Sequence, residues 1–298
     1  MSARRKVALL GSAPPDVLRR LAPEFDLVDG PAVSALGAAE RASIIHGLTS
    51  AMGGVDRGMV ADLPNLAVIA SIGAGLEKFD RPWLAAQGIE LRPTPDVMTE
   101  DTAEFAVGLL FALLRNIVSN DRFVRRGDWA KGRAPLGLRL SGRKIGIVGL
   151  GRIGSRIAAK LAALGCEVTY TGRSSKNVAW RFEPSLAELA RSADGLVLSC
   201  AGGEGTRGLI GAQILDLLGP QGFVVNVSRG SVIDEAALLD ALERGSIAGA
   251  ALDVFETEPV PNPRFLGLSN CILQPHAAVY TEENRRDLVA ALKHLLGA

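Results

Sequence analysis

The sequence predicts an α/β fold of two Rossmann-like domains, each a doubly wound parallel sheet, with a cleft between them. Three observations point there. Apolar, β-rich runs alternate with helical patterns along the whole chain, as in parallel sheets covered on both faces. A strand leads into a glycine turn, Gly149-Leu150-Gly151-Arg152-Ile153-Gly154, and then into a helical pattern, in mid-chain. With 298 residues, the chain is long enough for two domains of ordinary size.

Taken in order, residues 7–10 read as a strand, 15–21 as a helix, and 44–48 and 68–71 as further strands. Residues 99–126 form one long helical pattern rich in Ala, Leu and Phe, opened by Thr99-Glu100-Asp101, which suit a cap and the helix dipole. So apolar a helix needs a buried seat, and a subunit interface would also suit it. The glycine turn follows this helix, so the nucleotide domain reads as an insert over 98–275. Residues 1–97 and 276–298, including a last helix near 281–296, make the other domain.

The turn implies a dinucleotide. Residues 144–148 are the strand, Ile153, Ile157, Ala158, Leu161 and Leu164 the helical pattern, and 167–170 a second strand. Gly149 permits the tight turn, Gly151 lets a pyrophosphate approach the backbone, and Gly154 lets helix and strand pack closely. The helix start at Arg152 and Ile153 offers N–H groups and partial positive charge to the phosphates. An NAD site usually carries Asp or Glu about 20 residues after the turn. Here Thr171 stands 22 residues past Gly149, followed by Arg173 and Ser174, with no carboxylate beside it. A hydroxyl pair and a guanidinium suit a 2′-phosphate, so NADPH/NADP is expected in preference to NAD.

Bulk properties exclude several other classes. Lys plus Arg (33) nearly balance Asp plus Glu (32), so no basic field would hold nucleic acid or an anionic membrane. Cys166, Cys200 and Cys271 are widely separated, show no metal-ligand spacing, and read as reduced thiols of a cytoplasmic protein. The short run after Arg4-Arg5-Lys6 is interrupted by Pro14-Pro15-Asp16 and reads as a first strand, not a leader; no run approaches a membrane span.

Ligands of an open parallel sheet bind at the carboxyl ends of its strands. Three such ends deliver Arg229, Asp253 with Glu258 close behind, and His276. Together they suit reversible hydride transfer to the carbonyl of a 2-oxo acid. Negative charge builds on the ketone oxygen during reduction, and a histidine can protonate it. A carboxylate on the other ring nitrogen favours the imidazolium, and a guanidinium clamps the substrate carboxylate and carbonyl.

At these residues the chain resembles the D-2-hydroxyacid dehydrogenase family, and within it the glyoxylate/hydroxypyruvate reductases, from about Val7 to Leu296. The matching motifs are Asn226-Val227-Ser228-Arg229-Gly230, Asp253-Val254-Phe255-Glu256-Thr257-Glu258-Pro259 and Pro275-His276. The resemblance implies Arg229 as substrate clamp, His276 as general acid, and Glu258 as the partner that keeps it protonated. It implies Asp253 on the nicotinamide carboxamide, Ala74 and Gly75 in a carboxylate-binding loop, Cys200, Thr206 and Val227 along the cofactor, and a homodimer. Tyr170-Thr171-Gly172-Arg173 resembles the NADPH-using members. The chain departs from the family at Ala201-Gly202-Gly203-Glu204-Gly205, where three glycines predict a looser wall for the cofactor. Loop 127–138 aligns poorly apart from Trp129.

Met52, after a strand, is a candidate for the substrate side-chain pocket, with core filling as the alternative. His46 and His294 read as structural. The expected activity is NADPH-dependent reduction of small 2-oxo acids to D-2-hydroxy acids. The alternatives are reduction of bulkier acids, phenylpyruvate-like or 2-ketogluconate-like, and a non-catalytic dinucleotide-sensing protein.

Overall fold

The computed structural model describes residues 4–297. Two compact units are present, one of residues 4–98 with 280–297 and one of residues 99–279. The second crossing therefore falls after Val279 instead of after Pro275. The reason is local: the Ala277 and Ala278 N–H groups donate to Asp253, which ties the segment after His276 to the second unit.

The first unit holds five parallel strands, β1 (Arg5–Leu9), β2 (Phe25–Val28), β3 (His46–Ser50), β4 (Val68–Ile72) and β5 (Glu90–Pro93), in the order β2-β1-β3-β4-β5. The edge strands β2 and β5 are too short and too mixed in composition to stand out in the sequence. Ala8, Leu10, Ile44, Ile69 and Leu84 form its core. The helix Glu282–Leu295 returns to this unit and buries Leu288, Val289 and Leu292. Thr281 caps it by accepting the Asn284 N–H at 2.9 Å, and Arg285 pairs with Asp16 at 2.7 Å.

The second unit holds β6 (Lys144–Val148), β7 (Glu167–Thr171), β8 (Arg181–Phe182), β9 (Gly195–Leu198), β10 (Phe223–Asn226), β11 (Gly249–Leu252) and β12 (Cys271–Leu273). Their order is β12-β11-β10-β9-β6-β7-β8, every pair parallel. The strand order reverses between β6 and β9, the switch point where such sheets bind ligands. The helix Thr99–Leu114 buries Ala103, Ala106, Leu110 and Leu114 in one core with Ile145, Ile147, Val197 and Val225.

The helical pattern predicted over 99–126 is broken. Thr99–Leu114 and Ile117–Arg125 are separate helices bent by 55°. The Leu114 carbonyl, which a continuous helix would give to residue 118, accepts from Leu138 N at 2.6 Å instead. Asn116 takes a left-handed conformation (φ 54°), which Asn tolerates better than most residues. The second helix buries none of its residues. Among the described residues, no single helix is long and apolar enough to cross a membrane.

Candidate active site

The glycine turn sits at the switch point. A Cβ on Gly149 would overlap the Cys200 backbone, and one on Gly154 would overlap the Gly149 carbonyl, so both positions need glycine for close approach. Ser199 Oγ donates to the Gly149 carbonyl at 2.8 Å and locks the ends of β6 and β9 together. At Gly151 a Cβ would meet nothing within 4 Å. Gly151 is also the N-cap of the helix Arg152–Ala163 and supplies no capping side chain. Open space over an uncapped helix start, beside Arg152 and Ile153, fits the pyrophosphate of a dinucleotide.

At the end of β7, Thr171 is buried and its carbonyl accepts the Gly149 N–H at 2.9 Å, while Arg173 and Ser174 are exposed in the loop that follows. That loop contains a cation missed in the sequence reading. Lys176 donates from Nζ to the Leu150 carbonyl, and its N–H donates to the Tyr170 hydroxyl at 2.7 Å. The ammonium is thus fastened to the glycine turn itself. A lysine three residues past Arg173 was the only signal available.

Farther along the sheet, β10, β11 and β12 deliver the chemical groups. After β10 the Asn226 side chain builds the turn: its Oδ1 accepts the Ser228 N–H and hydroxyl at 3.0 and 2.7 Å, and its Nδ2 donates to the Arg229 carbonyl at 3.0 Å. Val227 is buried beneath it. Half-buried Arg229 donates to the Ser228 carbonyl at 2.7 Å. Gly230 lies so close to the next segment that a Cβ there would overlap the Phe255 carbonyl.

Glu258 and His276 meet. His276 Nδ1 and Glu258 Oε2 are 2.8 Å apart, and the Phe255 N–H donates to the other carboxylate oxygen at 3.0 Å. Burial pushes the Glu258 carboxyl up, but the His276 and Phe255 hydrogen bonds and the charges of His276 and Arg229 outweigh it and hold the group below the usual glutamate range. The carboxylate therefore stays ionised and accepts from the ring.

Asp253 stands directly after β11, where the strand pattern puts it, and is tied to the segment after His276. It is buried, and its Oδ1 and Oδ2 accept the Ala277 and Ala278 N–H groups at 2.7 and 3.1 Å, while its carbonyl accepts the His276 N–H at 2.9 Å. Burial raises its carboxyl, against the two N–H groups and His276, which lower it. His276 itself has φ 53°, a conformation unusual for a side chain with a Cβ. The two-oxygen clamp of Asp253 holds the backbone in that state. A role in holding the histidine turn was not foreseen from sequence.

The remaining candidates are placed as follows. Cys200 lies against Gly149, and burial pushes its thiol up. Thr206 donates from its hydroxyl to the Ala201 carbonyl at 2.8 Å, also approaches the Gly203 carbonyl at 3.2 Å, and so ties together the glycine-rich segment expected to be loose. In the first unit, Met52 is 49% exposed and follows β3, its carbonyl bound by Lys78 Nζ at 2.8 Å. Ala74 and Gly75 follow β4, in a turn where Gly73 has φ 109° and donates its N–H to Thr94 Oγ1 at 3.0 Å. His46 starts β3, at the opposite end of the strand from these loops; it is buried with Nδ1 unpartnered, and burial lowers its pKa.

Residues 107–278 match the family model described as D-isomer specific 2-hydroxyacid dehydrogenase, NAD binding domain. A glyoxylate/hydroxypyruvate reductase A of Arabidopsis thaliana is 41% identical over 86% of this chain and 82% of its own length. The 2-ketogluconate reductase of Gluconobacter oxydans is 40% identical over 96% of this chain and 92% of its own. Among solved structures, an NADPH-dependent glyoxylate/hydroxypyruvate reductase of Sinorhizobium meliloti, in complex with NADP and malonate, superimposes with a TM-score of 0.86. It is 35% identical and covers 99% of this chain and 92% of its own.

Proposed function

The chain belongs to the D-isomer specific 2-hydroxyacid dehydrogenase family, and on that premise we propose that it reduces small 2-oxo acids of the glyoxylate/hydroxypyruvate class to D-2-hydroxy acids with NADPH. The observation that carries this reading is the 2.8 Å pair of His276 and an ionised Glu258 in the same unit as Arg229.

A bound nicotinamide dinucleotide supplies the hydride. Arg229 binds the substrate carboxylate and polarises the carbonyl with its guanidinium. His276 holds a proton at Nε2 and gives it to the carbonyl oxygen as negative charge develops there. Glu258 accepts from Nδ1, so the ring is oriented. Asp253 keeps the histidine turn in its left-handed conformation. Ala74 and Gly75 are assigned to the substrate carboxylate and Met52 to the substrate side chain.

Gly149, Gly151 and Gly154 with the helix start at Arg152 and Ile153 hold the pyrophosphate. Thr171, Arg173 and Ser174, joined by Lys176, read the 2′-phosphate. Cys200, Thr206 and Val227 line the remainder of the dinucleotide. The absence of a carboxylate after β7 and the NADP-bound relative support NADPH over NADH. A cytoplasmic homodimer is part of the proposal. Exposed apolar side chains at Ile117, Val124, Trp129 and Leu136, clustered in sequence, support association with a second copy.

The similarity to a 2-ketogluconate reductase favours one alternative, a longer, sugar-derived 2-oxo acid as substrate. Steady-state reduction of glyoxylate, hydroxypyruvate, phenylpyruvate and 2-ketogluconate with NADPH and NADH tests both readings. The highest kcat/KM is expected for a small acid with NADPH, with an advantage over NADH above about tenfold, worth about 1.4 kcal/mol. Tight NADPH binding without turnover of any acid would leave only the sensing function.

A further inference from the structure

Glu235 opens the helix Glu235–Arg244, and nothing in the mechanism above uses it. It is not needed as a cap, because Asp234 already accepts the Ala237 N–H at 3.1 Å. Its carboxylate is committed elsewhere: Oε1 accepts the backbone N–H of Glu256, 21 residues further on. That bond lies at the seam where Gly230 packs against the Phe255 carbonyl. Two successive N–H groups of the glutamate segment are thus held by two carboxylates, Phe255 by Glu258 and Glu256 by Glu235.

The placement is electrostatically costly. Burial raises the Glu235 carboxyl, the Glu256 N–H lowers it, and the charges of Glu256 and Glu258 raise it further. A glutamine would accept the same N–H without that repulsion.

We propose that Glu235 is a positioning residue for the acid pair. Its bond to the Glu256 N–H fixes the turn that presents Glu258 to His276. The groups involved are Glu258 and Asp253 facing His276, Arg229 and Glu235 facing Glu258, and Glu256 and Glu258 facing Glu235.

This inference rests on His276 as proton donor, and its test separates the two. The variants are Glu235→Gln, which keeps the acceptor and removes the charge, and Glu235→Ala, which removes both. Ring resonances of His276 are followed by NMR against pH in the ligand-free protein, where only three histidines need assignment. The pH profile of kcat/KM for glyoxylate with NADPH and the thermal midpoint are measured alongside. Glu235→Ala is expected to move the His276 titration midpoint, and the alkaline limb of the profile, down by about half a unit, and Glu235→Gln to leave both near the parent values. Glu235→Ala additionally loses about tenfold in kcat/KM, most of which Glu235→Gln restores. An unchanged midpoint in Glu235→Ala, or an equal shift in both variants, overturns the proposal, whatever the thermal midpoint does. If the unsubstituted protein reduces no 2-oxo acid, the functional reading falls while the titration still decides the role of Glu235.

Discussion

Replacing Glu258 with Gln probes the centre of the mechanism with little change of shape. The carboxylate accepts twice, from the Phe255 N–H at 3.0 Å and from His276 Nδ1 at 2.8 Å, and only 19% of its side chain is exposed. An amide has one acceptor oxygen. If it serves Phe255, the amide NH2 faces Nδ1 and favours the neutral ring. A hydrogen bond to a charged partner contributes about 1.5–3 kcal/mol. If that interaction is realised when His276 donates its proton, kcat/KM falls about 10- to 150-fold at 1.36 kcal/mol per decade. The assay is steady-state reduction of glyoxylate with NADPH across about pH 5 to 9, with NADPH affinity measured separately by fluorescence; the affinity should change less than about twofold. A stability effect accompanies the kinetic one. The folded protein holds the Glu258 carboxyl below its ordinary range, so its stabilising contribution is present above the unfolded value and is lost as pH falls through the folded value. Denaturant midpoints of the two proteins should therefore differ near about pH 7 and converge below about pH 4. A variant with wild-type kcat/KM and an unmoved alkaline limb would refute the pairing as the source of acid catalysis.

Other substitutions test the neighbouring parts. Arg229→Lys keeps the charge but loses the planar fork, and kcat/KM for the 2-oxo acid should fall about 100-fold with NADPH affinity preserved; equal effects on both would place Arg229 outside substrate binding. Gly230→Ala forces a methyl group into the Phe255 carbonyl and should cost about 1–3 kcal/mol in denaturant unfolding, so a variant as stable as the parent would contradict the packing described here. Arg173→Ala should raise KM for NADPH about tenfold while leaving NADH kinetics alone, and a parallel loss with both cofactors would remove Arg173 from 2′-phosphate recognition.

Much of this protein is legible in local sequence. The Gly149-x-Gly151-x-x-Gly154 spacing depends on steric limits within six residues, so the turn, its strand and its helix can be read without knowing anything distant. The missing carboxylate at Thr171 is equally local. Arg229, Glu258 and His276 could be named because each follows an apolar strand, where a parallel sheet exposes its ligands. Contacts between segments far apart in the chain were not legible. The break between Leu114 and Ile117 depends on Leu138 taking the Leu114 carbonyl, 24 residues away, while the apolar pattern by itself runs on unbroken. Lys176 gains its place from the Leu150 carbonyl, Glu235 from the Glu256 N–H, and Asp253 from two N–H groups beyond His276. By itself the sequence determined which groups stand at the carboxyl ends of the strands, since strand and turn preferences act over a few residues. Only the tertiary structure decided which of those groups touch, because a hydrogen bond between separate strands exists only after the sheet has set their order and register.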